Sequence, residues 1–361
     1  MKTAVLHDYF ENAEGGGRLS LLLAKEFDAD LVYGFKSSNH PFLSEFPPLK
    51  DQFPLCKNIT IPLLRQFVLS RAFLHKTSFL SRYDRVVYSG SYAPLAIGNS
   101  FNNALNIYYC HTPPRFIYDQ KEFYFSGIPF FCRPLLKGFM HYMQPYYEDA
   151  VAKMDVIVTN SENVRKRIKR FLGHDSIVVY PPCDVDRYSW LGSEGYYLST
   201  ARLDPLKRID LIVEAFLRMS DKKLIVTSGG KELPRLLKLA RGHENIMFTG
   251  WQDEGQLLEL IGNSIATIYI PEDEDFGMSP VESMAAGKPV IGVADGGLCE
   301  TVISGETGFL VSSTPSVGQI VDAVERMSVQ KAQSMRCACE NRAKVFRKDV
   351  FSNRMREIAG I

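Results

Sequence analysis

Two carboxylates separated by seven residues stand out. Glu274 and Glu282 lie in the stretch Ile270-Pro-Glu-Asp-Glu274-Asp-Phe276-Gly277-Met-Ser-Pro-Val-Glu282-Ser-Met-Ala-Ala-Gly287-Lys-Pro-Val-Ile291. Carboxylates accept hydrogen bonds, so such a pair could bind a ligand. Upstream, Arg202-Leu-Asp-Pro-Leu-Lys207 offers a guanidinium fork and an ammonium point charge that can converge on a diphosphate. Near the start, Glu14-Gly15-Gly16-Gly17-Arg18 could let backbone amides approach a phosphate without obstruction by Cβ. His111 in Tyr109-Cys-His111-Thr-Pro-Pro and Trp251 in Thr249-Gly-Trp251-Gln-Asp253 complete the set of residues that could do chemistry.

Each has a plainer reading. The glycines do not form G-x-G-x-x-G, since residue 20 is Ser, and they could simply be a flexible turn. Arg202 and Lys207 could be solvated cations beside a helix, Glu274 part of a solvated acidic loop, and His111 a hydrogen-bonded strand-end histidine. Ser279 as N-cap with Pro280 at N1 predicts a helix start that puts Glu282 at N3 of a capping box, so capping and ligand binding both stay open for Glu282.

The elements that would position these residues alternate. Apolar, β-branched or aromatic runs at 3–7, 31–35, 85–89, 104–110, 155–159 and 177–180 are followed by a second series at 196–200, 223–227, 246–250, 265–270 and 289–294. Amphipathic patterns such as 209–219 and 256–261 fall between them. Alternation of this kind predicts an α/β protein with parallel sheets in two doubly wound, Rossmann-like domains. Pro181-Pro182 cannot continue either neighbouring element. The expected organisation is a first domain over 1–180, a linker over 181–194, a second domain over 195–340, and a C-terminal segment over 341–361 whose helix crosses back to the first. Ligands of open α/β sheets favour the carboxyl ends of the strands, here expected to face an interdomain cleft.

Composition sets the bounds. A chain of 361 residues, 45% hydrophobic and 23% charged, is long enough for two self-sufficient cores, which excludes a disulfide-stapled mini-protein and a long disordered chain. The net charge of +1 offers no global field for a polyanion, so nucleic acid is not an expected partner. Residues 1–180 carry +5 and residues 181–361 carry −4. Seven scattered cysteines without a C-x-x-C pair, and an N-terminus without an apolar signal core, point to reduced thiols in the cytoplasm. Cys337 and Cys339 lack further ligands at metal-binding spacing. No apolar run is long enough to span a bilayer, so a membrane role would be peripheral. Neither Gly230-Lys231 nor Gly287-Lys288 has the glycine and Ser/Thr of a nucleotide-triphosphate P-loop.

The order E-x-F-G-x-x-P-x-E-S-M-A-x-G-x-P-V-I around Glu274 and Glu282 resembles the E-x7-E signature of retaining, nucleotide-sugar-dependent glycosyltransferases of family four, which have the GT-B fold. Arg202 with Lys207 resembles that family's diphosphate-binding pair, Gly15–Gly17 its first phosphate loop, and Asp295-Gly-Gly-Leu-Cys-Glu300 its G-G-x-x-E loop. Within the family, His7-Asp8-Tyr9, Tyr109-Cys-His111-Thr-Pro-Pro, Tyr180-Pro-Pro-Cys-Asp and Glu274-Asp-Phe-Gly are most similar to mannosyltransferases of O-antigen and other surface polysaccharide assembly. Asp275 stands where many relatives have Gly, which adds negative charge and leaves the sugar open.

The resemblance implies hexosyl transfer with retention from a nucleotide sugar, GDP-mannose first, to a glycan or polyprenyl-diphosphate-linked glycan. It implies that Glu274, with the Phe276 and Gly277 backbone, contacts the donor sugar. Glu282 would hold the ribose, His111 would lie near the sugar, Arg202 and Lys207 would neutralise the diphosphate, and Trp251 would lie near the base. No cofactor and no metal is expected beyond the donor substrate. Asp-x-Asp occurs at 28/30, 184/186 and 273/275, too often to be specific. Asp8 is open between acceptor contact and turn capping. Residues 52–83 hold five Lys/Arg and no acid, interleaved with apolar residues, and could rest on an anionic membrane or be a core-packed helix with a solvated face. The aromatic stretch 124–147 could be core, and the basic run 163–171 a solvated helix. Alternatives are the same fold with a UDP-sugar donor, an epimerase or phosphorylase, and a catalytically silent sugar-nucleotide-binding subunit.

Overall fold

The computed structural model describes residues 1–11, 15–37, 51–100 and 103–361, so Glu14 lies outside the described residues. The chain divides into two compact units, Met1–Tyr180 with Ser352–Ile361, and Pro181–Phe351.

The first unit contains β1 (Thr3–His7), α1 (Gly15–Glu26), β2 (Asp30–Tyr33), β3 (Gln52–Pro54), α2 (Leu64–His75), β4 (Arg85–Ser89), β5 (Leu105–Cys110), α3 (Lys121–Ser126), α4 (Arg133–Ala152), β6 (Val156–Thr159), α5 (Glu162–Leu172) and β7 (Ile177–Val178). Its strands form one parallel sheet in the order β3-β2-β1-β4-β5-β6-β7. All residues of β1 and β4 are buried, because a central parallel strand is covered on both faces. The chain winds outward in opposite directions from β1 and β4, so a crevice forms at their carboxyl ends. Tyr88, Tyr108 and Tyr147 are fully buried in the core, and the Tyr108 and Tyr147 hydroxyls satisfy one another at 2.9 Å.

The second unit holds β8 (Tyr196–Ser199), α6 (Ile209–Leu217), β9 (Lys223–Thr227), α7 (Leu233–Leu239), β10 (Ile246–Gly250), α8 (Glu254–Asn263), β11 (Thr267–Tyr269), α9 (Met278–Ala285), β12 (Val290–Val293), α10 (Leu298–Thr301), β13 (Gly308–Val311), α11 (Val317–Arg326) and α12 (Val329–Ala343). The sheet is again parallel, in the order β10-β9-β8-β11-β12-β13, with its switch point between β8 and β11. The last helix, α13 (Lys348–Ala359), begins in this unit and ends in the first, where Arg356 pairs with Glu26 at 2.7 Å.

Three expectations are revised. Edge strands β3 and β13 were not anticipated; they are short, and neither stands out from its surroundings in sequence. Residues 181–194, read as a linker, run along the second unit: Leu191 and Glu194 donate backbone hydrogen bonds to Gly262 and Asn263, and buried Lys288 donates to the Gly192 carbonyl at 2.5 Å from over the Trp190 ring. The 124–147 stretch is divided: Phe139, Met143 and Tyr147 are core, whereas Tyr124, Phe130, Phe131, Leu135 and Tyr146 are exposed.

Candidate functional site

In the second unit the chemistry gathers at the carboxyl ends of β8 and β11. After β8 the chain turns through Arg202 into a short helical turn, Pro205–Lys207. The Glu272 amide donates to the Leu206 carbonyl at 2.8 Å, tying this turn to the loop that follows β11. Lys207 Nζ then donates to Glu274 Oε2 at 2.5 Å and to the Tyr269 hydroxyl at 2.9 Å. An ammonium has three donors, so one N–H is left for a third acceptor.

Tyr269 was not singled out by the sequence reading. It is only 6% exposed, and its pKa is raised well above 10, first by burial, then by the charge of Glu274 and its hydrogen bond, then by Glu282, with Arg202 acting in the opposite sense. The phenol is therefore a permanent hydroxyl that senses all four groups the sequence nominated: Arg202, Lys207, Glu274 and Glu282. The signal that could have found it is a tyrosine at the last position of a strand, immediately before the acidic loop.

Glycines brace that loop. The Gly297 amide donates to the Glu274 carbonyl at 2.9 Å, and the Asp273 amide donates to Asp295 Oδ2 at 2.9 Å. Gly296 adopts φ +54, and a Cβ there would lie 2.3 Å from the Glu274 carbonyl oxygen. Gly296 and Gly297 thus act by closeness of backbone to backbone, and Asp295 through its carboxylate.

The helix carrying Glu282 starts earlier than expected. Its N-cap is Gly277, at φ +90 with no side-chain cap, and Met278 is the first helical residue. Ser279 and Pro280 lie inside the first turn, so the Ser279–Glu282 capping box does not exist. Gly277 wins because a left-handed residue ends the acidic loop at no steric cost, which a Ser279 start would not require. Phe276 is buried and packs edge-to-face on Phe346 with centroids 5.4 Å apart, so its ring serves packing. Trp251 is exposed, and its indole lies over Gly229, where a Cβ would stand 2.5 Å from Nε1. Asp253 caps α8 through the Gln256 amide at 2.9 Å. Arg202 is exposed, with its Nε 3.8 Å from Asp204 Oδ2.

The first unit gathers a second group at the ends of β1, β4 and β5. Ser89 Oγ lies 2.9 Å from His111 Nε2 and 2.9 Å from Ser20 Oγ, and Ser20 Oγ lies 3.0 Å from His7 Nδ1. Burial pulls the His111 pKa down to about 4, so the ring is neutral near pH 7, with one donor and one acceptor nitrogen. Ser20, Ser89 and His7 were not singled out for this role. Gly15–Gly17, expected as a phosphate loop leading into a helix, form the first turn of α1 itself. A Cβ on Gly16 would lie 3.3 Å from His111 Nε2, and one on Gly17 would lie 3.3 Å from the Phe10 ring, so these two glycines admit neighbouring rings against the helix. Asp8 resolves to capping: its carboxylate accepts from the Ser91, Tyr92 and Ala93 amides at 2.6, 2.8 and 2.8 Å.

Among the described residues no three His, Cys, Asp or Glu side chains form a group that could hold a metal ion. Cys337 is exposed and Cys339 buried, so they do not act as a pair. No described helix is long and apolar enough to cross a membrane.

A family model described as "Glycosyl transferases group 1" matches residues 185–345. The chain is 24% identical over 320 residues to the alpha-1,3/1,6-mannosyltransferase ALG2 of Dictyostelium discoideum, covering 75% of this chain and 72% of that protein. It is 30% identical over 139 residues to the N-acetyl-alpha-D-glucosaminyl L-malate synthase of Bacillus anthracis, covering 37% of this chain and 36% of that protein. Among solved structures, sucrose-phosphate synthase from Thermosynechococcus elongatus superposes with a TM-score of 0.80 at 16% identity, covering 99% and 98% of the two chains. Anabaena Alr3699/HepE in complex with UDP and glucose gives 0.73 at 15%, with the same coverage. At such identities these structures establish the fold: two Rossmann-like units of the GT-B type.

Proposed function

We propose, from the match of residues 185–345 to the group 1 glycosyl transferase model, that this protein is a glycosyltransferase that moves a hexose, mannose from GDP-mannose first, with retention of configuration, onto a glycan or polyprenyl-linked glycan. What supports the reading most is the triangle of Lys207 Nζ, Glu274 Oε2 and the Tyr269 hydroxyl at the β8–β11 switch point. A sugar nucleotide needs a cation for its diphosphate and acceptors for its hydroxyls in one place, and this triangle supplies both.

Breaking the anomeric C–O bond leaves oxocarbenium-like charge on the sugar and negative charge on the departing nucleoside diphosphate. Stabilising that leaving charge is the main electrostatic task. Lys207 enters it pre-oriented by two acceptors, with its third N–H available to a phosphate oxygen. Arg202, on the same turn and exposed, supplies a bidentate fork. Glu274 accepts from sugar hydroxyls and Glu282 from the ribose. The exposed indole of Trp251 offers a stacking face for the base. Front-face attack, with the leaving phosphate taking the acceptor proton, needs no metal and no covalent nucleophile.

Several ALG2 relatives named as mannosyltransferases favour mannose, whereas a fold neighbour holding UDP and glucose favours a UDP-sugar as the second reading. A thermal-shift and hydrolysis screen against GDP-mannose, UDP-glucose, UDP-galactose, UDP-GlcNAc and dTDP-sugars decides between them. We expect stabilisation and slow hydrolysis with GDP-mannose. Glu274→Ala and Lys207→Ala should each largely abolish turnover in a folded protein. Wild-type-like transfer by either variant removes the assigned site, and donor binding without any turnover indicates a silent binding subunit.

A further inference from the structure

We propose that the corner between α3 and α4 is a docking surface for an anionic lipid bilayer; its use in catalysis, but not the docking itself, rests on the lipid-linked acceptor proposed above. Phe130, Phe131 and Leu135 are 78%, 68% and 66% exposed. Solitary exposed apolar residues are ordinary, but three within six positions at one turn form a protruding apolar tip. Phe130 and Phe131 meet only edge-to-face, with centroids 5.6 Å apart, so their outer faces reach water.

Cations flank the tip along the chain. Lys121, Arg133 and Lys137 are exposed and have no carboxylate partner among the described residues, and Glu122 is the one acid between 121 and 137. An occupant of this face must therefore be apolar in its interior and anionic at its surface, which describes the headgroup and acyl boundary of an anionic bilayer. A second copy of the chain is disfavoured, because a two-fold contact through this corner would place the same cations face to face.

The basic stretch 52–83 is the weaker candidate. Arg65 is engaged by Glu11 at 2.5 Å and stacked over Tyr9 and Phe35, and Lys76 donates to the Leu55 carbonyl at 3.0 Å. Both cations serve the fold. Exposed Leu64 and Phe67 of α2 lie farther along α4, where Phe67 meets Tyr142 with centroids 5.7 Å apart.

The test is co-sedimentation of the full chain with vesicles of phosphatidylcholine alone and with about a third phosphatidylglycerol. Wild type should pellet with the anionic vesicles and release as salt is raised. Phe130→Ser with Phe131→Ser should weaken partitioning about tenfold or more, since two large apolar side chains no longer enter the interface. Arg133→Glu and Lys137→Glu should each weaken it about fivefold, on anionic vesicles only. Because these side chains are exposed, the thermal melt and donor hydrolysis should be unchanged. Wild type that stays in the supernatant, or variants that pellet as it does, overturn the proposal, as does a variant that changes the oligomeric state instead. Failure of every donor in the hydrolysis screen would sink the transfer reading while leaving the vesicle result standing.

Discussion

Replacing Tyr269 by Phe removes one oxygen and keeps the ring over which Lys207 Nζ sits, 5.2 Å from the centroid. The lost contacts are the 2.9 Å hydrogen bond from the ammonium and the phenol's hydrogen bond with Glu274, and the first is the one that bears on Lys207. Hydrogen bonds to charged groups contribute about 1.5–3 kcal/mol. Lys207 is only 18% exposed but keeps Glu274, so the lower end applies, about 1.5 kcal/mol, or roughly tenfold in kcat/KM. The assay is donor hydrolysis or transfer at saturating acceptor, in the wild-type background and again in Lys207→Met. If the hydroxyl acts by aiming the ammonium, Tyr269→Phe costs about tenfold in the first background and under about twofold in the second. Equal losses in both would show a role unrelated to Lys207. An undiminished rate in the first would show that the triangle does not matter to turnover. The melt should barely move, because the ring and its packing remain.

Other consequences can be checked more quickly. Asp8→Asn puts an amide where three backbone N–H groups donate, and should cost about 2 kcal/mol by urea unfolding with little change in donor affinity; a large loss of acceptor affinity with unchanged stability would restore the acceptor-contact reading. For His111, the unfolded chain takes up a proton below 6.5 while the folded ring stays neutral down to about 4. Stability from this group is therefore complete above 6.5, declines as pH falls from 6.5 to 4 and levels off below, by at most about 3 kcal/mol before screening by the water it meets. His111→Asn should flatten that part of the profile, and an unaltered slope would show that the ring is not the source. Trp251→Ala should weaken binding of the nucleoside diphosphate about tenfold without unfolding the unit, read by titration calorimetry, since the indole is exposed and one stacking face is lost.

The alternation of apolar runs with helical patterns, and so both parallel sheets, was legible along the chain, because strand and helix periodicities are local. The loops bearing Arg202, Lys207, Glu274 and Glu282 were legible for the same reason: each directly follows a recognisable strand or opens a recognisable helix. Tertiary structure alone decided which of them meet. Tyr269 joins the site only because β11 lies beside β8, and Asp8 is taken by amides more than eighty residues away. The start of α9 at Gly277 rather than Ser279 follows from the path of a loop braced by Gly296 and Gly297, a constraint no local pattern encodes. Arg65 reads as one more surface cation until Glu11 is placed against it, while Phe130 and Phe131 read as core until the turn between α3 and α4 carries them outward. Local chemistry sets which side chains can act; which partner each one spends that capacity on depends on chain topology, and topology brings together residues whose sequence separation hides the pairing.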